Sequence, residues 1–290
     1  MIFSWPLHQP LPLKRRPLAS QDPYIYLADM VQVSNAQGQT GLGECVASRK
    51  LADEIAELHL ALLETRLTLD LKREQMEIAA MLESLDLEAA KTLVRQGFQT
   101  LKFKVGKNPT EEAHALRCIR QSLGDSIAIR LDANRAWNLE TAIQFGKNIQ
   151  DLNIAYLEEP VQNYQDIPTF YRQTQIPVAL DETLIECIAP PVLDGVSTYA
   201  LKPFLMPNLL SIAQCIQHAY DQSLEVAICS AFESPHSLNW LVVLCGLLPR
   251  QPLPAGLSTL RWFQGHLVEP VSSTRQALES LCLFQTLQGA

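Results

Sequence analysis

The sequence predicts an α/β protein in which a closed barrel of β/α units follows a smaller α+β module. Three observations predict it. From about residue 87, amphipathic helical stretches alternate repeatedly with short apolar strands, which argues for a parallel sheet covered by helices. Neither Gly-x-Gly-x-x-Gly nor Gly-x-x-x-x-Gly-Lys-[Ser/Thr] is present, whereas open doubly wound sheets usually carry a glycine-rich loop after an early strand. Finally, charged residues recur at the carboxyl ends of successive strands, the end of a barrel where sites are built.

The elements follow in order. YIYLADMVQVSNAQGQTGLGE reads as a β-hairpin with its turn near Gln37–Gly38, and a helical pattern covers about Ala47–Glu64. The β/α rhythm then begins. The helix LEAAKTLVRQG precedes TLKFKV, read as the second barrel strand, and a helix over Thr110–Leu123 precedes SIAIRLDAN. A helix over Leu139–Ile149 precedes IAYLEEP, and one around Ile167–Gln173 precedes PVALDE. A short irregular piece leads to STYALKP, a helix over Asn208–Tyr220 to LEVAICS, and a helix covers Ser237–Leu247. The tail from about residue 259 departs from this pattern. The expected division is an α+β domain over 1–85, completed by the tail 259–290, and a barrel over 86–258.

Bulk properties narrow the function classes. The net charge is −8, and the one basic cluster, Lys14-Arg15-Arg16, is short and followed by proline, so no nucleic-acid partner is expected. The seven cysteines show no Cys-x-x-Cys pair and are expected to be reduced thiols. MIFSWPLHQPLPLKRRPL is broken by prolines and places its basic cluster after its apolar part, the wrong order for a secretory signal. The longest apolar run, Leu241–Leu248, is too short to span a bilayer, so no membrane association is expected and the localisation is read as cytoplasmic.

The strand ends carry the chemistry. Lys104, Asp132, Glu158, Asp181 and Lys202 are each separated from the next by about one β/α unit. Residues two apart in a strand share a face. One face therefore holds Lys102 and Lys104, then Ala128, Arg130 and Asp132, then Ile154, Tyr156 and Glu158, then Ala179 and Asp181, then Ala200 and Lys202. The other holds apolar residues such as Leu101, Phe103, Ile129, Leu131 and Leu180, suited to pack on helices. Asp132, Glu158 and Asp181 then converge from three adjacent strands. Three hard oxygen ligands without His or Cys suit Mg²⁺ or Mn²⁺. Without a cation, three buried carboxylates would repel one another.

Such a site suits proton abstraction next to a carboxylate on a small-molecule substrate, because a divalent cation stabilises the negative charge that develops. The base must be an uncharged amine, and a neighbouring cation disfavours an amine's charged form. Lys102 beside Lys104 thus either tunes its neighbour or holds the substrate carboxylate. In ICSAFES, Ser230 and Glu233 either line the pocket or cap the next helix. In AGLSTL, Gly256 would let backbone approach a ligand. The six histidines show no ligand spacing.

The stretches LKFKVG, RLDANRAW, YLEEP, ALDET and ALKP, with GLGE before them, resemble the enolase superfamily in its muconate-lactonizing branch. Within that branch, LDANRAW and AGLSTL are similar to the o-succinylbenzoate synthase family. The resemblance covers nearly the whole chain and implies a modified (β/α)7β TIM-type barrel with an N-terminal α+β capping domain. It implies Mg²⁺ at Asp132, Glu158 and Asp181, with Lys104 as the base and Lys102 near the substrate carboxylate. Lys202 would lie over the opposite face of the ring, and Arg130 and Asn134 would orient the lysines and carboxylates. It further implies dehydration of a cyclohexadiene carboxylate in menaquinone or phylloquinone biosynthesis. The alternatives are racemisation of N-acylamino acids, epimerisation of dipeptides or cycloisomerisation of muconate; a catalytically silent barrel is a reading from a different class. Against dipeptide epimerisation, AGLSTLRWFQ lacks the Asp-x-Asp that holds a substrate amine. Relatives carry a glycine- or arginine-rich lid loop where this chain has ASQDP, Ala19–Pro23.

Overall fold

The computed structural model describes residues 2–6, 25–65, 69–259 and 273–283. The lid segment Ala19–Pro23 lies outside them, as does the end of AGLSTLRWFQ, residues 260–264. The chain divides into two compact units. One comprises Met1–Glu77, Lys202–Ala213 and Ile228–Ala290; the other comprises Ile78–Leu201 and Gln214–Ala227.

The first unit opens with an antiparallel sheet of β1 (Ile2–Pro6), β2 (Ile25–Ser34) and β3 (Thr40–Cys45), in that order. The β2–β3 turn is tied by Asn35, whose Oδ1 accepts from the backbone N–H of Gln37 and Gln39. Helix α1 (Arg49–Thr65) lies on this sheet, burying Ala52 and Ala56 against Val31. The approach is unusually close: a Cβ on Gly41 would come within 1.9 Å of the Ala56 carbonyl oxygen, and one on Gly43 within 1.9 Å of that of Ala52. The glycines of GLGE therefore let a helix backbone sit directly on a strand. His59 on α1 accepts from the Leu42 N–H through Nδ1 (3.0 Å), while its Nε2 lies 2.9 Å from the Leu281 carbonyl. Burial pushes His59 below the ordinary histidine range.

The second unit is built on a seven-stranded sheet. Its strands are β4 (Ala80–Leu82), β5 (Thr100–Lys104), β6 (Ala128–Asp132), β7 (Ile154–Glu158), β8 (Val178–Leu180), β9 (Val196–Leu201) and β10 (Glu225–Ile228). They lie side by side in chain order, and β4 to β9 pair in parallel. Sequential parallel order is what right-handed β/α winding produces. Helices α2 (Leu87–Arg95), α3 (Pro109–Leu123), α4 (Leu139–Ile149) and α5 (Ile167–Thr174) pack one on the next in the same order. Their starts are fixed by Asp86, Asn108 and Asn138, whose side chains accept backbone N–H groups of the first turns of α2, α3 and α4. Helix α6 (Glu182–Glu186) is a short insert after β8, and α7 (Leu209–Asp221) precedes β10.

The sequence rhythm begins at residue 87, but the parallel sheet begins one strand earlier, at β4. Strand parity accounts for the burial. Leu101, Phe103, Ile129, Leu131, Val178 and Leu180 are all buried on the helix side. Two register shifts interrupt the ladder: Val178 pairs with Val196 but Ala179 with Thr198, and Ile129 pairs with Ile154 but Arg130 with Tyr156, so Ala155 is an extra residue and Ile154 faces with Ile129 rather than with Tyr156.

In the first unit, α8 (Pro235–Leu247) and α9 (Thr274–Leu283) pack together, and α9 also meets α1. Helix α8 buries Leu238, Trp240, Leu241, Val242, Val243 and Cys245, so it is apolar on every side. No helix among the described residues is long and apolar enough to cross a membrane.

Candidate active site

Three neighbouring strands end in register. Lys104 pairs with Asp132, and Asp132 with Glu158, at the carboxyl ends of β5, β6 and β7. Glu158 pairs with Ala179, and Asp181 follows two residues on, past the end of β8. Because parity puts these side chains on one face, Asp132, Glu158 and Asp181 each offer a carboxylate oxygen within 4.8 Å of the others. All three are buried, with Glu158 fully so.

The lysines reach the same oxygens. Lys102 Nζ donates to both Glu158 oxygens at 2.7 and 2.8 Å and lies 3.0 Å from Asp132 Oδ2. Lys104 Nζ donates to Asp132 Oδ2 at 2.6 Å and to Asn134 Oδ1 at 2.7 Å. Two ammonium groups thus converge on one carboxylate oxygen, and their side chains keep 12% and 28% exposure, so solvent-side access is retained at the base. Asn134 is held in turn: its backbone N–H donates to Asp132 Oδ1 (3.0 Å) and its Nδ2 to Glu182 Oε1 (2.9 Å). The donor set fits a hard divalent cation: three carboxylates, no soft ligand, and ammonium groups offsetting a charge that burial alone would not tolerate.

One layer below, Lys102, Arg130 and Tyr156 pair across β5, β6 and β7. The Arg130 guanidinium carbon stands 5.1 Å from the Tyr156 ring centroid, a cation–π geometry.

The remaining sequence candidates, Lys202, Ser230 and Gly256, belong to the first unit. Lys202 is half-buried, one residue past β9, and opens the single turn Pro203–Leu205. Ser230 follows β10; its backbone N–H donates to the Gly256 carbonyl at 3.0 Å. Its hydroxyl donates to Glu233 Oε2 (2.6 Å) and lies 2.9 Å from Thr259 Oγ1. Burial pushes Glu233 up to about 7, although Ser230 and the Ala231 N–H stabilise its anion. A Cβ on Gly256 would come to 3.0 Å from Cys229 Sγ, so packing on that thiol accounts for the glycine. Ser234 caps α8 and donates from both N–H and Oγ to Glu44, the last residue of GLGE.

Three groups escaped the sequence reading. Glu159 is fully buried and accepts from Asp181 N–H, Thr183 N–H, Thr183 Oγ1 and Arg135 Nε. Arg135 also donates to Glu186 and Thr183. Burial opposes the Arg135 charge, but Glu186 and Glu159 outweigh it and raise its proton affinity. Glu182 orients Asn134. Asn134, Arg135 and Glu159 all have positive φ, of 44°, 58° and 44°, a rare conformation for such residues that clusters at functional corners.

Seven sequential strands, most of them parallel, with a separate antiparallel sheet, give an enolase-like α/β fold, and an acidic triad stands at the strand ends. Residues 85–188 match the model of the Enolase C-terminal domain-like family. The o-succinylbenzoate synthase of Klebsiella pneumoniae is 33% identical over 189 residues, which cover 62% of this chain and 57% of that protein. The chloroplastic protein PHYLLO of Arabidopsis thaliana is 30% identical over 215 residues, 64% of this chain but 12% of its own length. The chain therefore spans about half, or far less, of the curated relatives it matches. A probable mandelate racemase from Alicyclobacillus acidocaldarius shares the fold with a TM-score of 0.76 at 18% identity, covering 97% of this chain and 95% of that one.

Proposed function

We propose that the chain is an o-succinylbenzoate synthase, a hydro-lyase that converts 2-succinyl-6-hydroxy-2,4-cyclohexadiene-1-carboxylate to 2-succinylbenzoate in menaquinone or phylloquinone biosynthesis. The observation that carries it is the register of Lys104 with Asp132 and Glu158, on a segment similar to o-succinylbenzoate synthases. Asp132, Glu158 and Asp181 would hold Mg²⁺, or Mn²⁺. The ion would supply Lewis-acid stabilisation of negative charge developing on the substrate carboxylate.

The protein's own groups do the rest. Lys104, as the free amine, takes the proton alpha to the carboxylate. Lys102 presents an ammonium to the carboxylate as its charge grows. Lys104, now protonated, returns that proton to the departing ring hydroxyl, which leaves as water while the ring becomes aromatic. One residue acting as base and then acid makes the elimination syn. Asn134, bonded to both Lys104 and Glu182, keeps the amine aimed.

The test is an ultraviolet assay with the cyclohexadiene substrate. Loss of diene absorbance that EDTA abolishes and Mg²⁺ restores is expected; no change with metal-replete protein sinks the proposal. Two variants refine it. Asp181→Asn should raise the Mg²⁺ concentration for half-maximal rate on the order of 10-fold or more, since ligand charge sets affinity for hard cations. An unchanged titration removes Asp181 as a ligand. Lys202→Ala should leave measurable dehydration, because one base suffices. Metal-dependent deuterium exchange into N-succinylamino acids that disappears in Lys202→Ala would instead select the racemase reading, in which both lysines are bases.

A further inference from the structure

We propose that Glu159 is a positioning residue for Asp181, fixing the backbone from which that carboxylate reaches the other two; this rests on the reading that the triad takes a divalent cation. Asp181 sits at φ −131° and ψ −79°, neither helical nor extended, and its own side chain does not cap α6. Its carbonyl takes a local turn bond from Leu184 N–H at 3.0 Å, and Glu159 holds the amide side: its Oε1 accepts from Asp181 N–H at 2.9 Å and from Thr183 N–H at 2.8 Å. These are backbone donors that the start of a helix leaves without intrahelical partners.

The carboxylate is itself locked. Its Oε2 accepts from Thr183 Oγ1 at 3.1 Å and Arg135 Nε at 2.9 Å. Arg135 spans α6, donating to Thr183 Oγ1 near its start and to Glu186 Oε1 at its end, both at 2.8 Å. The corners after β6 and β7 therefore clamp the corner after β8. The backbone ladder runs on through them: Ala133 N–H donates to Glu158 O, Arg135 N–H to Glu159 O and Glu159 N–H to Ala179 O. Each corner that follows a carboxylate of the triad is tied to the next. Partners that orient metal-binding groups without touching the metal commonly change affinity by about 10–100-fold when removed.

The test reads Mn²⁺ binding by electron paramagnetic resonance, on protein checked by circular dichroism and thermal melting. The wild-type chain should bind Mn²⁺ at one site, and Glu159→Ala should bind it about 10–100-fold more weakly. Glu159→Gln keeps an oxygen for the two amides but loses the ion pair with Arg135. It should melt lower yet keep near-wild-type affinity, a separation that a merely structural role would not give. Should the alanine variant not fold, Glu159→Asp withdraws the oxygen from both amides in the same sense. Wild-type affinity in folded Glu159→Ala overturns the positioning role and leaves the triad reading standing. A glutamine variant as weak as alanine assigns the effect to Arg135 and overturns it too. A wild-type chain that binds no Mn²⁺ overturns both readings.

Discussion

Lys104→Ala is expected to lower the dehydration rate by about 10²–10⁴-fold, the span that a positioned acid–base group contributes. The loss should fall on kcat more than on KM, because Lys104 acts on the reacting proton and the triad and Lys102 are left in place. The fold should survive. Asp132 loses one donor but keeps Lys102 at 3.0 Å, and the vacated methylenes leave a side chain that was already 28% exposed. Stopped-flow measurement of diene loss, beside a thermal melt, checks both halves. Substantial turnover in a folded Lys104→Ala variant would remove it as the base, and would direct attention to Lys102, whose ammonium is bound to two carboxylates.

Gly43→Ala is expected to be, with Gly41→Ala, among the most damaging single methyl groups in the first unit. The new Cβ would stand 1.9 Å from the Ala52 carbonyl oxygen, 2.8 Å from its carbonyl carbon and 3.1 Å from the Ala56 nitrogen. These are main-chain atoms of α1, so no rotamer change relieves the clash and the helix must lift from the sheet. That exposes Ala52, Ala56 and Val31, and loosens the His59 link to Leu42 and Leu281. Overpacking of this severity should cost about 4 kcal/mol or more, at the top of the range for point substitutions. Urea denaturation gives the value directly, and a change below about 1 kcal/mol would mean that α1 is free to slide on β3.

The parallel β/α architecture was largely legible in the sequence, because parallel strands buried on one face and charged at one end leave a periodic record. The sheet of the described residues has seven strands where the (β/α)7β reading expects eight. Lys104, Asp132 and Glu158 fall at β/α spacing, and their shared parity is what brings them into register. Strand β4 was not legible: Ala-Met-Leu is too short for any periodicity to register. Gly41 and Gly43 read as part of a strand end, since the partners that demand them, Ala56 and Ala52, lie on the following helix. Glu159 was hidden for a different reason. Strand alternation places it opposite Glu158, facing the helices; a left-handed residue turns it back. Such a turn follows from tertiary packing, and glutamate carries no local signal for it.

The register of the charged ends makes this sheet a device that counts modulo two. A residue added near the carboxyl end of β5, β6 or β7 would send its terminal charge to the helix side, whereas α3 and α4, of 15 and 11 residues, already differ in length without consequence. The register shifts that the sheet does contain lie early, between Ile129 and Arg130 on β6 and between Val178 and Ala179 on β8. Errors of count are absorbed where the strands enter, before the ends where side chains must meet. Length variants of this chain should therefore be tolerated in its helices and at strand entrances, and rejected within the last two or three residues of β5, β6 and β7.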